Sequence, residues 1–246
     1  MTQDVETSLR GTIDRVYVIN LKSRPDRRRE METELGRIGL APQSPLVAFF
    51  DAVKPPAAGD FPSVGARGCF MSHLGIIERA AAAGHRAILI LEDDATVAPE
   101  HRAGFIRAVE ALAAADWALA YPGYRIAGDP PSGAAQAMSP DWCRVAPQTD
   151  IGTTHAMLIR QQAYAPLIAY LRDMMARPAG HRDGGPMHVD GAYSWFRRSH
   201  PDLQTWVTPQ PLVAQRASAS DITPASWKEK VPLVGLLRRI KNRLRG

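Results

Sequence analysis

The amino-acid sequence predicts an α/β fold built around a mixed, mostly parallel sheet. Short apolar runs alternate with segments whose apolar residues recur at helical spacing, the order expected of βαβ units. Residues 16–19 and 87–91 are the clearest predicted strands, because branched aliphatic side chains fill them. The chain has 246 residues, 45% of them hydrophobic, which suffices for a single large domain with a sizeable core.

The other elements follow the same alternation. A helix is predicted after the first strand, with Ser23 as N-cap, Asp26 at N3 and an end near Gly39. Further strands are predicted over residues 46–50, 117–121 and 153–159, and further helices over residues 65–83, 99–114, 160–175 and 188–198. Loops are predicted over residues 54–62, 128–149 and 177–186, and the loop over residues 128–149 is either a mobile lid or poorly ordered. Residues 205–213, which contain Pro209 and Pro211, are predicted to form an extended segment at the edge of the sheet.

The positive charge of the chain is concentrated at its end. The formal net charge is +5, yet residues 227–246 hold seven Lys or Arg against one Glu, so residues 1–226 are close to neutral. We therefore expect a domain over residues 1–226, a basic tail over residues 227–246, and no nucleic-acid partner. Leu233, Leu236, Leu237, Ile240 and Leu244 recur at helical spacing in the tail, which predicts a basic amphipathic helix on an anionic inner-membrane surface. The alternatives are a helix docked on its own domain or a frayed end.

The cysteine content and the first residues predict a cytoplasmic protein. Cys69 and Cys143 are too few for a disulfide framework and lack a CxxC spacing. The first 21 residues contain no apolar signal-peptide region, and no apolar stretch approaches the roughly 20 residues that span a bilayer. We expect a cytoplasmic protein that is peripheral on the inner membrane.

Three consecutive acids end the predicted central strand. Glu92, Asp93 and Asp94 would repel one another at the edge where open α/β sheets bind ligands, and a divalent cation would compensate them. Because side chains alternate along a strand, Glu92 and Asp94 can share a metal while Asp93 faces the other way. Oxygen ligands favour Mg²⁺ or Mn²⁺, which commonly bridge carboxylates to a diphosphate. The alternative is a solvated acidic turn that caps the next helix.

Several basic and titratable side chains could complete such a site. Arg24 and Arg27, nearest the end of the first strand, could bind phosphate, although such arginines also occur on solvated helix faces. His73 could be catalytic or a hydrogen-bonded core residue. Asp190, close to His188 after a Gly/Pro-rich loop, could be a general base or only a helix cap.

Three segments together resemble glycosyltransferase family 25. They are Val18-Ile19-Asn20-Leu21 followed by Arg24 and Asp26-Arg27, then Gly65-Ala66-Arg67-Gly68-Cys69-Phe70-Met71-Ser72-His73, and Leu89-Ile90-Leu91-Glu92-Asp93-Asp94-Ala95. Weaker matches are residues 154–159 and 215–222. The sequence departs from the family pattern at Lys54-Pro55-Pro56, which stands where an acidic or Gly-containing turn is expected.

The resemblance implies a GT-A-like, Rossmann-type fold, a UDP-sugar donor, a divalent cation and inversion at the anomeric carbon. Asn20, Arg24 and Arg27 resemble residues that contact the nucleotide and its diphosphate. Ser72 and His73 resemble the family's pair beside the donor. Asp93 and Asp94 resemble the acids that bind the ribose and the metal. The family includes bacterial lipooligosaccharide galactosyl- and glucosyltransferases and collagen galactosyltransferases. We therefore expect transfer of galactose or glucose to a glycan or glycolipid acceptor, such as a lipopolysaccharide core. Asp190 is the candidate base, with Glu92 and His188 as alternatives.

Two other functions fit an acidic strand end. One is a Mg²⁺-dependent phosphohydrolase, although the sequence has no Asp-x-Asp-x-Thr-like nucleophile motif. The other is a catalytically silent, membrane-associated binding protein that keeps the same fold.

Overall fold

A computed structural model describes residues 5–126 and 137–216. The strands are β1 (Arg15–Asn20), β2 (Val47–Asp51), β3 (Ala87–Glu92), β4 (Ala95–Thr96), β5 (Leu119–Ile126), β6 (Ala137–Ser139), β7 (Trp142–Val145), β8 (Ile151–Arg160), β9 (Thr205–Val207) and β10 (Ala214–Gln215). The helices are α1 (Val5–Arg10), α2 (Pro25–Arg37), α3 (Val64–Ala82), α4 (Arg102–Ala111), α5 (Gln161–Ala176) and α6 (Val189–Ser199), with a 3-10 turn at Pro99–His101 before α4.

One mixed sheet organises the described residues. Its strand order is β2-β1-β3-β8-β5-β9-β7-β6, and β4 pairs separately with β10. The pairings make β8 and β7 antiparallel to the other six strands of the large sheet. The predicted α/β class with a mixed, mostly parallel sheet is therefore confirmed.

Helices cover both faces of this sheet. Alternate residues of β1 and β3 face opposite sides, so that Tyr17 and Ile90 pack with α3, α5 and α6, whereas Val18 and Leu89 pack with α1, α2 and α4. Both strands are buried on both faces, which explains why they are almost continuously apolar. Asn20 and Glu92 stand at their carboxyl ends, where the candidate site lies.

Helix α3 has the boundaries that its end residues favour. The Ser63 hydroxyl accepts a hydrogen bond of 3.0 Å from the Ala66 amide, which satisfies one of the free amides of the first turn. Gly84 follows the helix with φ of +67°, a conformation that glycine adopts without strain. The helix predicted over residues 65–83 is confirmed to within one residue at each end.

Two sequence predictions about local structure are wrong, and a third is correct except for its bounds. Ser23 is not the N-cap of α2: the cap position is Arg24, and Pro25 occupies the first helical turn, where its missing N–H costs nothing. Residues 205–213 are not an edge segment, because β9 pairs with β5 on one side and β7 on the other, and the two prolines follow its end. The helix predicted over residues 99–114 begins with the 3-10 turn and ends at Ala111.

The loop predicted over residues 128–149 is wrong for the part that the structure describes. Strands β6 and β7 form a hairpin there, and β7 adds to β9. Trp142 explains the pairing, since its side chain is fully buried and its indole N–H donates to the Ala108 carbonyl at 2.7 Å. The composition of this stretch suggested a loop, but one buried tryptophan fixes it to the sheet.

Two sequence predictions fall outside the described residues. They are the amphipathic helix of residues 227–246 and the part of the closing motif that follows Arg216. Across residues 5–126 and 137–216, no helix combines the length and the apolar character that crossing a bilayer requires.

Candidate functional site

The carboxyl ends of β1 and β3 lie side by side and form one wall of a cavity. Parallel pairing sets Ile19 opposite Glu92, so that Asn20 and the three acids meet at one edge of the sheet. The cavity has a volume of about 380 Å³. Its lining residues include Arg24, Arg27, Val53, Lys54, Pro55, Gly68, Cys69, Ser72, Glu92, Asp93, Asp94 and Gln215. Most of the residues predicted to contact nucleotide or metal are thus brought together.

Asp93 accepts hydrogen bonds both at its carboxylate and at its backbone carbonyl. Its carboxylate accepts hydrogen bonds of 2.8 Å from the Asn20 amide and from the Arg27 guanidinium, and its backbone carbonyl accepts one of 2.6 Å from Arg216. The side chains of Arg27 and Asp93 are only 10% and 11% exposed. This pair is therefore a shielded, fully compensated ion pair that fixes α2 against the end of β3.

Arg24 lines the cavity from the cap position of α2. Its guanidinium pairs with Asp26 at 2.8 Å, and this hydrogen bond lowers the pKa of Asp26 to about 2. The carboxylate of Asp26 holds the Arg24 side chain near the mouth of the cavity, where it can meet an anion.

Glu92 points away from Asp93, as strand alternation predicts. Its Oε1 accepts a hydrogen bond of 2.8 Å from the Thr154 hydroxyl and lies 3.8 Å from His73 Nε2. Burial raises the pKa of Glu92, but the neighbouring His73 and Thr154 outweigh burial and leave the pKa below its ordinary value. Glu92 is therefore a charged carboxylate in a mostly buried position.

Asp94 is the acid whose charge the protein compensates least, because Arg27 and Arg216 lower its pKa but do not outweigh burial and the neighbouring acids. Its Oδ1 is buried without a hydrogen-bond partner. Burial, together with the charges of Glu92 and Asp93, raises the pKa of Asp94 to about 6. A cation near Asp94 and Glu92 would remove this penalty, and their oxygen atoms suit Mg²⁺ or Mn²⁺. The residues therefore fit a hard divalent cation, and the assignment of Glu92 and Asp94 as its ligands stays a prediction.

Ser72 and His73 lie on α3 beside the acids. The Ser72 hydroxyl accepts from the Val53 amide at 2.9 Å and donates to the Gly68 carbonyl at 2.7 Å, which ties the loop after β2 to α3. A Cβ atom at Gly68 would overlap the backbone oxygen of Val53, so the glycine of this motif allows the close approach. His73 is fully buried, and its Nδ1 lies 3.1 Å from the Tyr193 hydroxyl.

The two candidate bases occupy different positions on α6. Asp190 lies in the first turn, where its carboxylate accepts hydrogen bonds from the Thr153 amide at 3.1 Å and the Gly191 amide at 2.8 Å. Burial is the main cause of the raised pKa of the Cys69 thiol, and the charges of Glu92 and Asp190 raise this pKa further. His188 is an exposed residue at the cap position of α6 and makes no capping hydrogen bond. Neither His188 nor Asp190 is among the lining residues of the cavity.

Sequence analysis missed several residues that shape this site. Thr154 positions Glu92, Tyr193 contacts His73, and Arg216 holds the acidic turn while pairing with Glu30 at 3.4 Å. Thr153 has φ of +67°, which is rare for a β-branched residue and occurs where surrounding structure enforces it. Thr154 lies in one of the weaker family matches, whereas nothing in the sequence around Tyr193 indicated its contact.

Sequence comparison finds relatives among glycosyltransferase 25 proteins. A "Glycosyltransferase 25 family member" of Drosophila pseudoobscura pseudoobscura is 30% identical over 129 residues, covering 46% of this chain and 21% of the relative. The corresponding Drosophila melanogaster protein is 32% identical over 129 residues, with the same coverage. The human "Inactive glycosyltransferase 25 family member 3" is 31% identical over 128 residues, 45% of this chain and 22% of the relative.

These similarities confirm the resemblance to glycosyltransferase family 25 over just under half of the chain. The matched part spans only about a fifth of the length of the curated relatives. No protein-family model matches the chain.

Two solved structures share a distant likeness. One is a glycosyltransferase involved in the glycosylation of the major capsid of PBCV-1, with a TM-score of 0.40 and 12% identity over 83% of this chain and 93% of that one. The other is mannose-1-phosphate geranyltransferase from Thermus thermophilus, with a TM-score of 0.38 and 12% identity over 78% of this chain and 72% of that one.

Proposed function

We propose that this protein is a glycosyltransferase that moves galactose or glucose from a UDP-sugar to a hydroxyl group of a glycan or glycolipid, with inversion at the anomeric carbon. The observation that carries the proposal is the cavity that Asp94, whose buried Oδ1 has no hydrogen-bond partner, lines together with Arg24 and Arg27. The similarity to glycosyltransferase 25 family members supports the same class of reaction.

The residues of the cavity suit a nucleoside diphosphate. Sugar transfer leaves a diphosphate with growing negative charge, which needs positive charge at that point. Mn²⁺ or Mg²⁺ held by Glu92 and Asp94 would supply Lewis-acid stabilisation there when bound. Arg24 supplies a guanidinium at the same wall, and Asn20 and Asp93 form a fixed pair that can receive the nucleotide.

Asp190 is the proposed base for the acceptor hydroxyl. The amides of Thr153 and Gly191 each occupy one lone pair of its carboxylate, which fixes its orientation and leaves a lone pair on each oxygen for a proton. A fixed carboxylate can take the proton as the acceptor oxygen bonds to the sugar. Glu92 and His188 are the alternative bases.

The test is release of UDP from a panel of nucleotide sugars. UDP-galactose and UDP-glucose are offered to the full-length protein with Mn²⁺ or with EDTA, and GDP-mannose and ADP-glucose serve as controls. We expect slow, Mn²⁺-dependent UDP release from one UDP-hexose only, by transfer to water in place of an acceptor. Release of inorganic phosphate from UDP would instead indicate the phosphohydrolase. Failure to bind any UDP-sugar would contradict the proposal, and binding without turnover in the presence of candidate acceptors would indicate the silent binding protein.

The acceptor and the location form the second part of the proposal. We propose a lipid-linked acceptor, such as a bacterial lipopolysaccharide core, at the cytoplasmic face of the inner membrane. Support comes from the family resemblance and from the charge and apolar spacing of residues 227–246. Removal of residues 228–246 should abolish sedimentation with anionic liposomes at low salt and leave the thermal midpoint unchanged. If the full-length protein does not sediment with such liposomes, the proposed membrane location is wrong, and the proposed sugar transfer is not affected.

A further inference from the structure

A second group of possible metal ligands lies at the inner end of the cavity. Cys69 and His73 are four residues apart on α3 and therefore share a face of that helix, and Glu92 approaches them from the end of β3. One ligand atom from each side chain lies within 4.8 Å of the other two. Among the described residues, these three form the one such group of His, Cys, Asp and Glu side chains.

His73 presents a buried nitrogen that the protein leaves without a partner. Its side chain is 0% exposed, and Nε2 makes no hydrogen bond, since the nearest carboxylate oxygen is 3.8 Å away. The other ring nitrogen, Nδ1, lies 3.1 Å from the Tyr193 hydroxyl, whose oxygen can accept a hydrogen bond from Nδ1–H. A bound cation would select the tautomer in which Nδ1–H donates to Tyr193 and the lone pair of Nε2 points to the ion beside Glu92. Histidine ligands in metal sites are generally oriented in this way by a partner on the second nitrogen.

Glu92 has a matching support. The Thr154 hydroxyl donates to Glu92 Oε1 at 2.8 Å, which fixes the carboxylate on the side of His73. Two ligands of one tetrahedral ion are about 3.4 Å apart, given metal–ligand distances of about 2.0–2.2 Å, so Oε1 and Nε2 at 3.8 Å need to approach by only a few tenths of an ångström on binding. Cys69 and Glu92 both line the cavity, so an ion can enter and a fourth position faces the open space.

We propose that Cys69, His73 and Glu92 bind a borderline-soft divalent cation such as Zn²⁺. Sulfur and imidazole nitrogen favour Zn²⁺ over Mg²⁺ or Mn²⁺, which prefer the all-oxygen pair Glu92 and Asp94. On binding, the Cys69 thiol loses its proton to solvent and the sulfur forms the bond to the metal, so that one proton is released per ion. A water molecule fills the fourth position.

Glu92 belongs to both sets of ligands. Zinc at this site would withdraw Glu92 from the hard cation beside Asp94 and lower the affinity for UDP in the presence of Mn²⁺. This consequence rests on the proposed function, whereas the zinc site itself does not.

The test titrates metal-free, full-length protein with Co²⁺, which reports thiolate ligation by a charge-transfer band in the near ultraviolet. We expect one equivalent of Co²⁺ to produce the band and one equivalent of Zn²⁺ to abolish it. Cys69→Ser should lose the band, and Cys143→Ala, at the other cysteine of the chain, should keep it. Tyr193→Phe should keep the band with a Co²⁺ affinity about 10–100-fold lower, because the Nδ1 partner is gone.

The absence of a band in the wild-type protein, or a band that Cys69→Ser retains, would overturn the zinc site. Neither result depends on nucleotide binding or on turnover. A protein that fails the UDP-release test can therefore still pass this one, and the reverse also holds.

Discussion

The cavity has two sides that treat neighbouring acids in opposite ways. On the arginine side, formed by Asn20, Arg27 and Asp93, the carboxylate is matched by a guanidinium and an amide at 2.8 Å each. On the acid side, formed by His73, Glu92 and Asp94, a carboxylate oxygen and an imidazole nitrogen are buried without partners. The carboxylate of Asp93 is therefore compensated without a ligand, whereas the acid side holds a carboxylate oxygen and a nitrogen that a cation could bind. Unpartnered buried groups are costly, and we propose that on the acid side a bound cation offsets this cost.

Removal of Arg27 should produce the largest effect, because it would leave Asp93 buried without its cationic partner. Arg27→Ala should lower the free energy of unfolding by about 3–5 kcal/mol, measured by urea denaturation. Arg172→Ala is the matched control, since Arg172 pairs with Glu78 at the surface and its loss should cost less than about 1 kcal/mol. Equal effects of the two substitutions would show that the arginine side is not a shielded pair.

Replacement of Asp190 should separate catalysis from binding. Asp190→Asn keeps an oxygen acceptor for the Thr153 amide but removes the proton acceptor, so kcat should fall by at least about 100-fold with little change in UDP affinity. Asp183→Asn, an exposed acid in the loop before α6, is the control and should leave kcat unchanged. Unaltered turnover in Asp190→Asn would move the role of base to Glu92 or His188.

Asp94 should destabilise the metal-free protein at neutral pH. Its pKa in the folded state is raised to about 6 from 3.8, so its contribution to stability is fully present below the lower value and is lost as pH rises through about 6. Asp94→Asn should therefore raise the free energy of unfolding by up to about 3 kcal/mol at pH 7.5 in EDTA, and the gain should vanish toward pH 4.

Asp26 provides a control of opposite sign for this experiment. Its pKa is lowered to about 2, so Asp26→Asn should not stabilise the protein at neutral pH, and any loss should disappear as pH falls toward 2. A wild-type protein as stable as Asp94→Asn across this range would show that the charge of Asp94 is compensated after all.

Sequence patterns predicted the residues of both sides, but they did not predict the contacts that Thr154 and Tyr193 make on the acid side. The apolar runs of β1 and β3 predicted parallel strands, and parallel strands necessarily bring Asn20 and Asp93 to the same edge. The acid side depends on β8, which runs antiparallel to β3 and delivers Thr154 to Glu92. Strand direction and the position of α6 are tertiary properties that a local pattern of apolar residues does not encode.

The metal candidates show the same division. The three acids Glu92, Asp93 and Asp94 are adjacent in the sequence and can be recognised there. Cys69 and Glu92 are 23 positions apart in the sequence and come together only in the folded chain. Helical spacing places Cys69 and His73 on one face of α3, yet the partner of His73 is Tyr193 on α6, 120 positions further along the chain. The hairpin β6–β7 was missed for a related reason, because its pairing partner β9 lies far along the chain.

Calorimetric titration of UDP tests the central claim most directly, namely that the acid side of the cavity is completed by a divalent cation. The full-length protein should bind UDP tightly in Mn²⁺ and at least 10-fold more weakly in EDTA, and Asp94→Asn should remove most of this difference. Equal UDP affinity in Mn²⁺ and in EDTA would contradict the claim and leave Arg24 and Arg27 as the groups that bind the diphosphate.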